Sequence, residues 1–290
     1  MSRQSRLLGA GLDLDLSAVT EHRAANSAAA PGTPLLVATH IAKNYGAAGE
    51  RLTAVIDDIS FSMTPGEIIS VVGPSGCGKT TLLNLLCGLI SLSRGTVSWR
   101  GQPLQGMPQR VGYMLQKDLL LPWRTALGNV TLGLELKPGT RSDREQRAHN
   151  ILDKVGLTSF HDYYPSGLSG GMRQRVALAR TLATDPEVLL LDEPFAALDF
   201  QTKLVLESDM AQLVRGESRS LLMITHDVEE AVSLSDRVIV LSHRPSRVKA
   251  THAIELGTDR TDMIAARESS LFMGYVRTIW SELEVRAGDS

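Results

Sequence analysis

Three short stretches of the chain carry residues whose types and spacing suit phosphate chemistry. Residues 73–80 read GPSGCGKT, residues 168–175 read LSGGMRQR, and residues 189–193 read LLLDE. The first stretch fits the pattern G-x-x-x-x-G-K-[ST], in which glycines let backbone N–H groups wrap phosphate oxygens. Lys79 would reach the β- and γ-phosphates of a nucleotide, and the Thr80 hydroxyl would bind Mg²⁺. The chain is therefore predicted to bind a nucleoside triphosphate.

The stretch 168–175 offers a second site for an anion. Its serine and two glycines stand at the predicted start of a helix over residues 172–183. Free backbone N–H groups and the positive end of the helix dipole suit a phosphate there. Two anion sites on one chain either bind two ligands or hold one ligand between two copies of the chain, and the spacing alone leaves both alternatives open.

The remaining chemical groups follow apolar runs. Asp192 would hold Mg²⁺ through water, which leaves Glu193 free to polarise the attacking water. His226 could touch the γ-phosphate, and Gln116 could supply an oxygen to Mg²⁺ or orient water. Tyr45 lies in the first predicted hairpin, where its ring could stack on adenine. Taken alone, each of these residues also fits a plain structural role, as a cap, a strand end or a packing side chain.

The elements that must position these residues alternate along the chain. Residues 35–45 and 53–63 alternate apolar and polar side chains around a glycine-containing turn, which predicts antiparallel strands. Apolar strands then alternate with helical segments, which implies a mostly parallel α/β sheet. Between about 117 and 183 the spacing is helical, which predicts an inserted helical lobe. Within it, Ser142 and Glu145 have the spacing of a capping box.

The two ends of the chain differ from its middle in composition. Residues 1–34 are rich in Ala, Ser and polar residues and are predicted to be a flexible extension. Residues 245–290 are predicted to be a C-terminal extension with an amphipathic helix over 263–283. The apolar face of that helix is expected to contain Phe272, Val276, Ile279, Trp280 and Leu283.

The composition of the 290 residues excludes several classes of protein. The formal net charge is −2, so no global basic field is present to hold nucleic acid. No apolar run approaches the roughly 20 residues of a membrane-spanning helix. Asp13 and Asp15 interrupt the apolar residues near the start, so no export signal is predicted. Cys77 lies within the phosphate loop and the other cysteine is Cys87, which disfavours a structural disulfide and fits a reducing compartment.

Together and in this order, these residues resemble the nucleotide-binding subunit of ATP-binding-cassette (ABC) transporters. The resemblance runs from about 35 to 244 and implies an ABC ATPase domain over residues 35–244. Residues 73–80 match the Walker A loop, 168–172 the family signature, 189–192 the Walker B strand and 196–199 the D-loop. The adenine-stacking aromatic, the Q-loop, the catalytic base and the switch histidine correspond to Tyr45, Gln116, Glu193 and His226.

The resemblance implies an ATPase with ATP and Mg²⁺ as cofactors. It implies a P-loop NTPase core with a mostly parallel sheet, an antiparallel β-subdomain and a helical lobe over about 117–183. The implied catalytic residues are Glu193, His226 and Gln116. The implied nucleotide-binding residues are Tyr45, Gly73, Pro74, Ser75, Gly76, Cys77, Gly78, Lys79, Thr80, Thr81, Ser169, Gly170, Gly171 and Asp199. The implied Mg²⁺ ligands are Thr80, Gln116 and Asp192.

The resemblance also implies partners. In this family two cassettes pair head to tail, so ATP on Lys79 and Thr80 of one copy would be covered by Ser169 and Gly171 of the other. A homodimer is therefore expected. It would work with transmembrane permease subunits and a separate substrate-binding protein, at the cytoplasmic face of the inner membrane and without nucleic acid.

The segment after Gln116 narrows the resemblance. The sequence LLPW within residues 117–130, and SHRPSR over 242–247, are similar to importers of nitrate, sulfonates and taurine. Leu121, Pro122 and Trp123 would then face the permease, with a locally buried tryptophan as the alternative.

The alternative function is that of a cassette protein without a membrane partner, which acts as a nucleotide-dependent binding module. Such proteins usually carry tandem cassettes, zinc insertions or coiled coils, which this sequence lacks, and LLPW argues against an exporter.

Overall fold

The computed structural model describes residues 33–46, 52–108, 110–135, 137–196 and 198–283. The chain separates into two units, residues 1–33 and 34–290. The predicted flexible extension over 1–34 therefore lies almost entirely outside the described residues. Among the helices that are described, none combines the length and the apolar character needed to cross a membrane.

The described residues contain ten strands, which form one sheet. In chain order the strands are β1 Leu36–Tyr45, β2 Thr53–Met63, β3 Ile68–Val72, β4 Arg94–Trp99, β5 Gln102–Pro103, β6 Val111–Met114, β7 Val188–Asp192, β8 Ser220–Ile224, β9 Arg237–Leu241 and β10 Ser246–Ala253. Across the sheet the order is β5-β4-β1-β2-β10-β9-β3-β8-β7-β6.

One half of this sheet is parallel. Strands β9, β3, β8, β7 and β6 run in the same direction. Every residue of β3, β7 and β8 is buried, as expected for parallel strands covered by helices on both faces. The prediction of a mostly parallel α/β sheet is confirmed for this half.

The other half of the sheet is built from antiparallel pairs. The predicted first hairpin is confirmed, because β1 pairs antiparallel with β2 in a register that sets Tyr45 opposite Thr53. Strand β4 pairs antiparallel with both β1 and β5. Strand β10 joins the two halves by pairing with β2 and β9. The sequence analysis missed β10.

Eight helices are described. They are α1 Lys79–Leu86, α2 Ala126–Leu132, α3 Arg141–Lys154, α4 Gly170–Ala183, α5 Phe200–Gly216, α6 Val228–Leu234, α7 Met263–Glu268 and α8 Phe272–Leu283. Short 3₁₀ turns occupy Thr158–Phe160 and Pro165–Gly167. Helices α2, α3 and α4 pack on one another, and Val130, Leu152 and Val176 join Leu189 and Leu191 of β7 in one apolar cluster.

Two predicted helix starts are wrong by two residues. Helix α3 is capped by Thr140 instead of Ser142: the Thr140 hydroxyl accepts a hydrogen bond from the Asp143 amide, and the Asp143 carboxylate accepts one from the Thr140 amide. Helix α4 begins at Gly170 instead of residue 172, because the Ser169 hydroxyl accepts from the Met172 amide. A capping side chain must lie just outside the helix that it caps.

The predicted C-terminal helix is divided into α7 and α8. Phe272, Val276 and Ile279 are buried as expected, whereas Trp280 is 48% exposed, so its placement within the buried face is wrong. At about 100° per residue, Trp280 lies at the rim of the face whose centre is Val276 and Ile279.

Candidate functional site

The phosphate loop connects the buried strand β3 to helix α1. Gly76 and Gly78 have φ values of +73° and +113°, a region that favours glycine. A Cβ atom on Gly78 would lie 2.8 Å from Val55 Cγ1, so only glycine lets the loop lie against β2 here. Cys77 is buried, and desolvation raises the pKa of its thiol. The phosphate loop is therefore packed closely against β2 and the buried interior.

Lys79 begins helix α1 and is only 8% exposed. Its Nζ atom donates hydrogen bonds to the backbone oxygens of Gly73, at 2.7 Å, and Pro74, at 3.1 Å. The cation is thus held by the loop that would carry the phosphates. Ser75 and Thr80 are exposed around it.

Thr80 and Asp192 form an oxygen-rich pair at the end of β7. The Thr80 hydroxyl donates to Asp192 Oδ2 at 2.7 Å. Asp192 is 3% exposed, and this burial raises the pKa of its carboxyl group while the Thr80 hydrogen bond opposes the rise. Hydroxyl and carboxylate oxygens are ligands that Mg²⁺ accepts, and a cation would offset the desolvation of Asp192. The residues present therefore fit the predicted metal.

Glu193 follows Asp192 in a strained conformation. Its φ of +49° is in the left-handed region, which is uncommon for a residue with a Cβ atom and is concentrated at functional sites. The Glu193 amide donates to the Ile224 oxygen at 2.9 Å, which ties this turn to β8.

Three predicted catalytic residues meet at one oxygen atom. Gln116 Nε2 donates to Glu193 Oε2 at 3.0 Å, and His226 Nδ1 lies 3.4 Å from the same oxygen. The convergence follows from topology, because the carboxyl ends of the adjacent parallel strands β6, β7 and β8 carry Gln116, Glu193 and His226. Strand β3, which carries the phosphate loop, is the next neighbour of β8.

Sequence reasoning missed the arginines that hold the segment after Gln116. Arg180 donates to the backbone oxygens of Leu119, at 2.8 Å, and Asp118, at 2.6 Å. Arg173 donates to the Asp118 carboxylate at 3.1 Å. Both arginines lie on helix α4, seven residues apart and so on one face. That spacing within the signature helix is the signal that could have identified them.

The signature motif lines a cavity to which the described residues of the phosphate loop do not contribute. Ser169, Gly170 and Gly171 line a cavity of about 410 Å³ together with Leu198 and Asp199. Among the described residues that line it, none belongs to the loop 73–80. A Cβ atom on Gly171 would lie 2.8 Å from Leu198 Cδ2, so the signature abuts the D-loop.

Asp199 has a structural partner of its own. Its carboxylate caps helix α5 by accepting from the Thr202 amide at 3.0 Å, a hydrogen bond that lowers the pKa of the carboxyl group. Its predicted contact with nucleotide stays a prediction, and Ala197 of the D-loop lies outside the described residues.

Tyr45 stands at the end of β1 and is 44% exposed. The Lys43 ammonium lies 5.1 Å from the centre of its ring. Strand β2 brings the same hairpin against the phosphate loop through Val55 and Gly78. Stacking of Tyr45 on adenine stays a prediction that this placement supports.

Comparisons with known proteins identify relatives that are ATP-binding proteins of transporters. The model of the ABC transporter family matches residues 56–196. An uncharacterized ABC transporter ATP-binding protein of Methanocaldococcus jannaschii is 44% identical over 236 residues, which are 81% of this chain and 86% of the relative. The taurine import ATP-binding protein TauB of Pseudomonas putida is 42% identical over 205 residues, 71% of this chain and 78% of the relative.

Solved structures include close matches to the fold. A dimeric ATP-binding cassette in a post-hydrolysis state, bound to ADP and Pi, superposes with a TM-score of 0.69 at 28% sequence identity. The match covers 76% of this chain and 99% of that one. The identity and coverage of these relatives, together with the phosphate loop after β3 and the two carboxylates at the end of β7, show that the chain belongs to the ABC transporter family, as an ATP-hydrolysing, ATP-binding subunit.

Proposed function

We propose that this chain powers the uptake of a small solute of the nitrate, sulfonate or taurine class, as the ATPase subunit of an importer. The similarity to a taurine import ATP-binding protein supports this class. The observation that carries the ATPase assignment is the meeting of Gln116, Glu193 and His226 at one carboxylate oxygen.

The site residues have distinct proposed roles in hydrolysis. Lys79 and the loop amides bind the β- and γ-phosphates. Thr80 and Asp192, with Gln116, would hold Mg²⁺, which would offset the negative charge of the phosphates. Glu193 accepts the proton of the attacking water, because its carboxylate is half-buried and directed by two neighbours. His226 holds that water and contacts the γ-phosphate.

We further propose that two copies of the chain pair head to tail to complete each site. The separation of the signature cavity from the phosphate loop supports this arrangement, as does the dimeric state of the similar solved cassette. ATP between Lys79 of one copy and Ser169 of the other would close the pair, and hydrolysis would open it. One two-fold axis would complete two sites at once.

Mixing two inactive variants tests the shared site. Lys79→Ala removes the cradle, and Ser169→Arg fills the signature with a bulky cation. Each variant alone should hydrolyse ATP very slowly, but the mixture should regain activity, because random pairing places one intact site in about half of the dimers. Phosphate release is measured at constant total protein. A mixture no faster than the mean of the two variants would contradict a site shared between copies.

The helical part of the chain offers a docking surface for the proposed permease. A groove of about 610 Å³ is lined by Trp123, Leu127 and Tyr164 together with charged side chains such as Arg124 and Glu135. Trp123 is 70% exposed, so the alternative of a locally buried tryptophan is wrong. Exposed aromatic side chains are typical anchors of interfaces. A peripheral location at the cytoplasmic face and a separate substrate-binding protein complete the proposal.

Trp123→Ala should separate ATP hydrolysis from transport. Basal ATPase activity of the isolated subunit should stay unchanged, because the described residues that line the groove of Trp123 include none of Lys79, Glu193 and His226. Transport in vesicles with the permease should fall about tenfold or more, as expected for an interface anchor. Trp280→Ala is the matched control, since Trp280 is a half-exposed tryptophan of helix α8. Normal transport by Trp123→Ala would refute the docking role.

A further inference from the structure

Five charged side chains form a network next to the turn that follows His226, the switch histidine. They come from three helices: Lys203 and Glu207 from α5, Asp227 and Glu230 from α6 and its cap, and Arg267 from α7. The cluster therefore contains three carboxylates and two cations. None of these residues was identified from the sequence.

Lys203 is the central cation of this cluster. Its Nζ atom lies 2.6 Å from Asp227 Oδ2, 2.8 Å from Glu230 Oε2 and 3.9 Å from Glu207 Oε1. On the far side, Arg267 donates to Glu207 Oε2 at 2.9 Å. Lys203 thus connects helix α5 to helix α6, and Arg267 adds the C-terminal helix α7 to the same network.

Burial of its carboxylates favours one position of helix α6. Glu207 is fully buried and Glu230 is 2% exposed. Desolvation raises the pKa of Glu230 to about 7, against the opposing charge of Lys203. Buried carboxylates are costly unless they are paired and hydrogen-bonded, so the arrangement with Lys203 bound to both acids of α6 is strongly preferred over one in which α6 moves away.

The cluster is continuous with the hydrolysis site. Lys203 and Glu230 line a cavity of about 280 Å³ together with Glu193 and His226. Asp227, which directly follows His226, uses its other carboxylate oxygen to accept from the Glu229 and Glu230 amides at 2.9 and 3.2 Å. Asp227 therefore both caps α6 and pairs with Lys203, which ties the Lys203 ammonium to the backbone beside His226.

We propose that Lys203 is a positioning residue for ATP hydrolysis, which holds His226 against Glu193 by binding Asp227 and Glu230 on the helix that follows the histidine. The inference rests on the proposed role of His226. Lys203 also lies one helical turn after Asp199, so it links the D-loop, which adjoins the signature, to the switch histidine of the same copy.

The test is a double-mutant cycle on ATP hydrolysis. Lys203→Met should lower kcat about tenfold, the effect of a small misplacement of a catalytic group, and leave KM for ATP within about twofold. Lys203→Arg should restore most of the rate by keeping the cation. Lys154→Met is the matched control, because Lys154 forms an exposed ion pair with Glu217 at 2.9 Å and should leave kcat unchanged.

The decisive comparison uses the His226→Ala background. If Lys203 acts through His226, the double variant Lys203→Met, His226→Ala should hydrolyse ATP no more slowly than His226→Ala alone. Additive losses, or a change in KM instead of kcat, would overturn the positioning role while leaving the role of His226 intact. Full activity of His226→Ala alone would overturn both.

A second variant covers the case in which Lys203→Met does not fold. Asp227→Asn keeps the side-chain oxygen that caps α6, since Asn is as good a cap as Asp, but removes the charge that Lys203 binds. It should lower kcat in the same direction, and again have no further effect in the His226→Ala background. A normal kcat for Asp227→Asn would count against the proposal.

Discussion

Glu193→Gln should abolish turnover while leaving ATP binding intact. Glutamine keeps the shape of the side chain next to Gln116 and His226, but its amide cannot accept a proton from water. Loss of a general base costs about a hundredfold to ten-thousandfold in rate, so we expect kcat to fall by about a thousandfold. Steady-state phosphate release at saturating ATP measures this change.

The same variant should also change the state of association. Since ATP is bound but not hydrolysed, the closed pair of copies should accumulate and elute as a dimer in gel filtration with ATP. Glu217→Gln is a suitable control, because Glu217 is a surface carboxylate paired with Lys154 and Arg219. Rapid hydrolysis by Glu193→Gln would mean that another group accepts the proton.

Lys79→Ala should weaken ATP binding itself. The Lys79 ammonium is nearly buried and already held by the Gly73 and Pro74 oxygens of the loop, so little ordering of the side chain is needed when a phosphate binds. A hydrogen bond to a charged group contributes about 1.5–3 kcal/mol. Its loss should raise the Kd for ATP about tenfold to a hundredfold, measured by calorimetric titration.

The control for this experiment is another lysine-to-alanine change. Lys154→Ala removes an exposed ion pair on helix α3, and should leave the Kd for ATP unchanged, since surface pairs contribute little. Adenosine, which lacks phosphates, should bind Lys79→Ala and the unaltered chain equally. An unchanged Kd of Lys79→Ala for ATP would refute the phosphate cradle.

The pairing of strands was partly readable from the sequence. The alternation of side chains in β1 and β2 predicted an antiparallel pair, because a strand with one buried face shows its period of two. The uniform burial of β3 and β7 appears as apolar runs. Strand β10 also alternates exposed and half-buried residues, but its half-buried positions after Val248 are Ala250 and His252, which give only a weak apolar pattern. Its place between β2 and β9 depends on partners distant in the chain.

Helix ends and helix faces were predicted less well, for local reasons. Thr140 and Ser142 both precede an acidic residue at the spacing of a capping box, and the sequence does not distinguish them. Trp280 sits next to the buried Ile279 at the rim of its helix face, and a rim residue is covered only if the neighbouring surface extends over it.

The sequence by itself determined the groups that act within one continuous segment. We could recognise the loop 73–80 because a loop that wraps a phosphate needs specific residues in succession. The pair Asp192 and Glu193 could be recognised because it directly follows the apolar residues of a buried strand. Tertiary structure decided which distant groups meet. The order of β6, β7 and β8 brings Gln116 and His226 to the Glu193 carboxylate. Helix packing brings Lys203 to the turn after His226. Both contacts depend on strand order and burial and not on spacing along the chain.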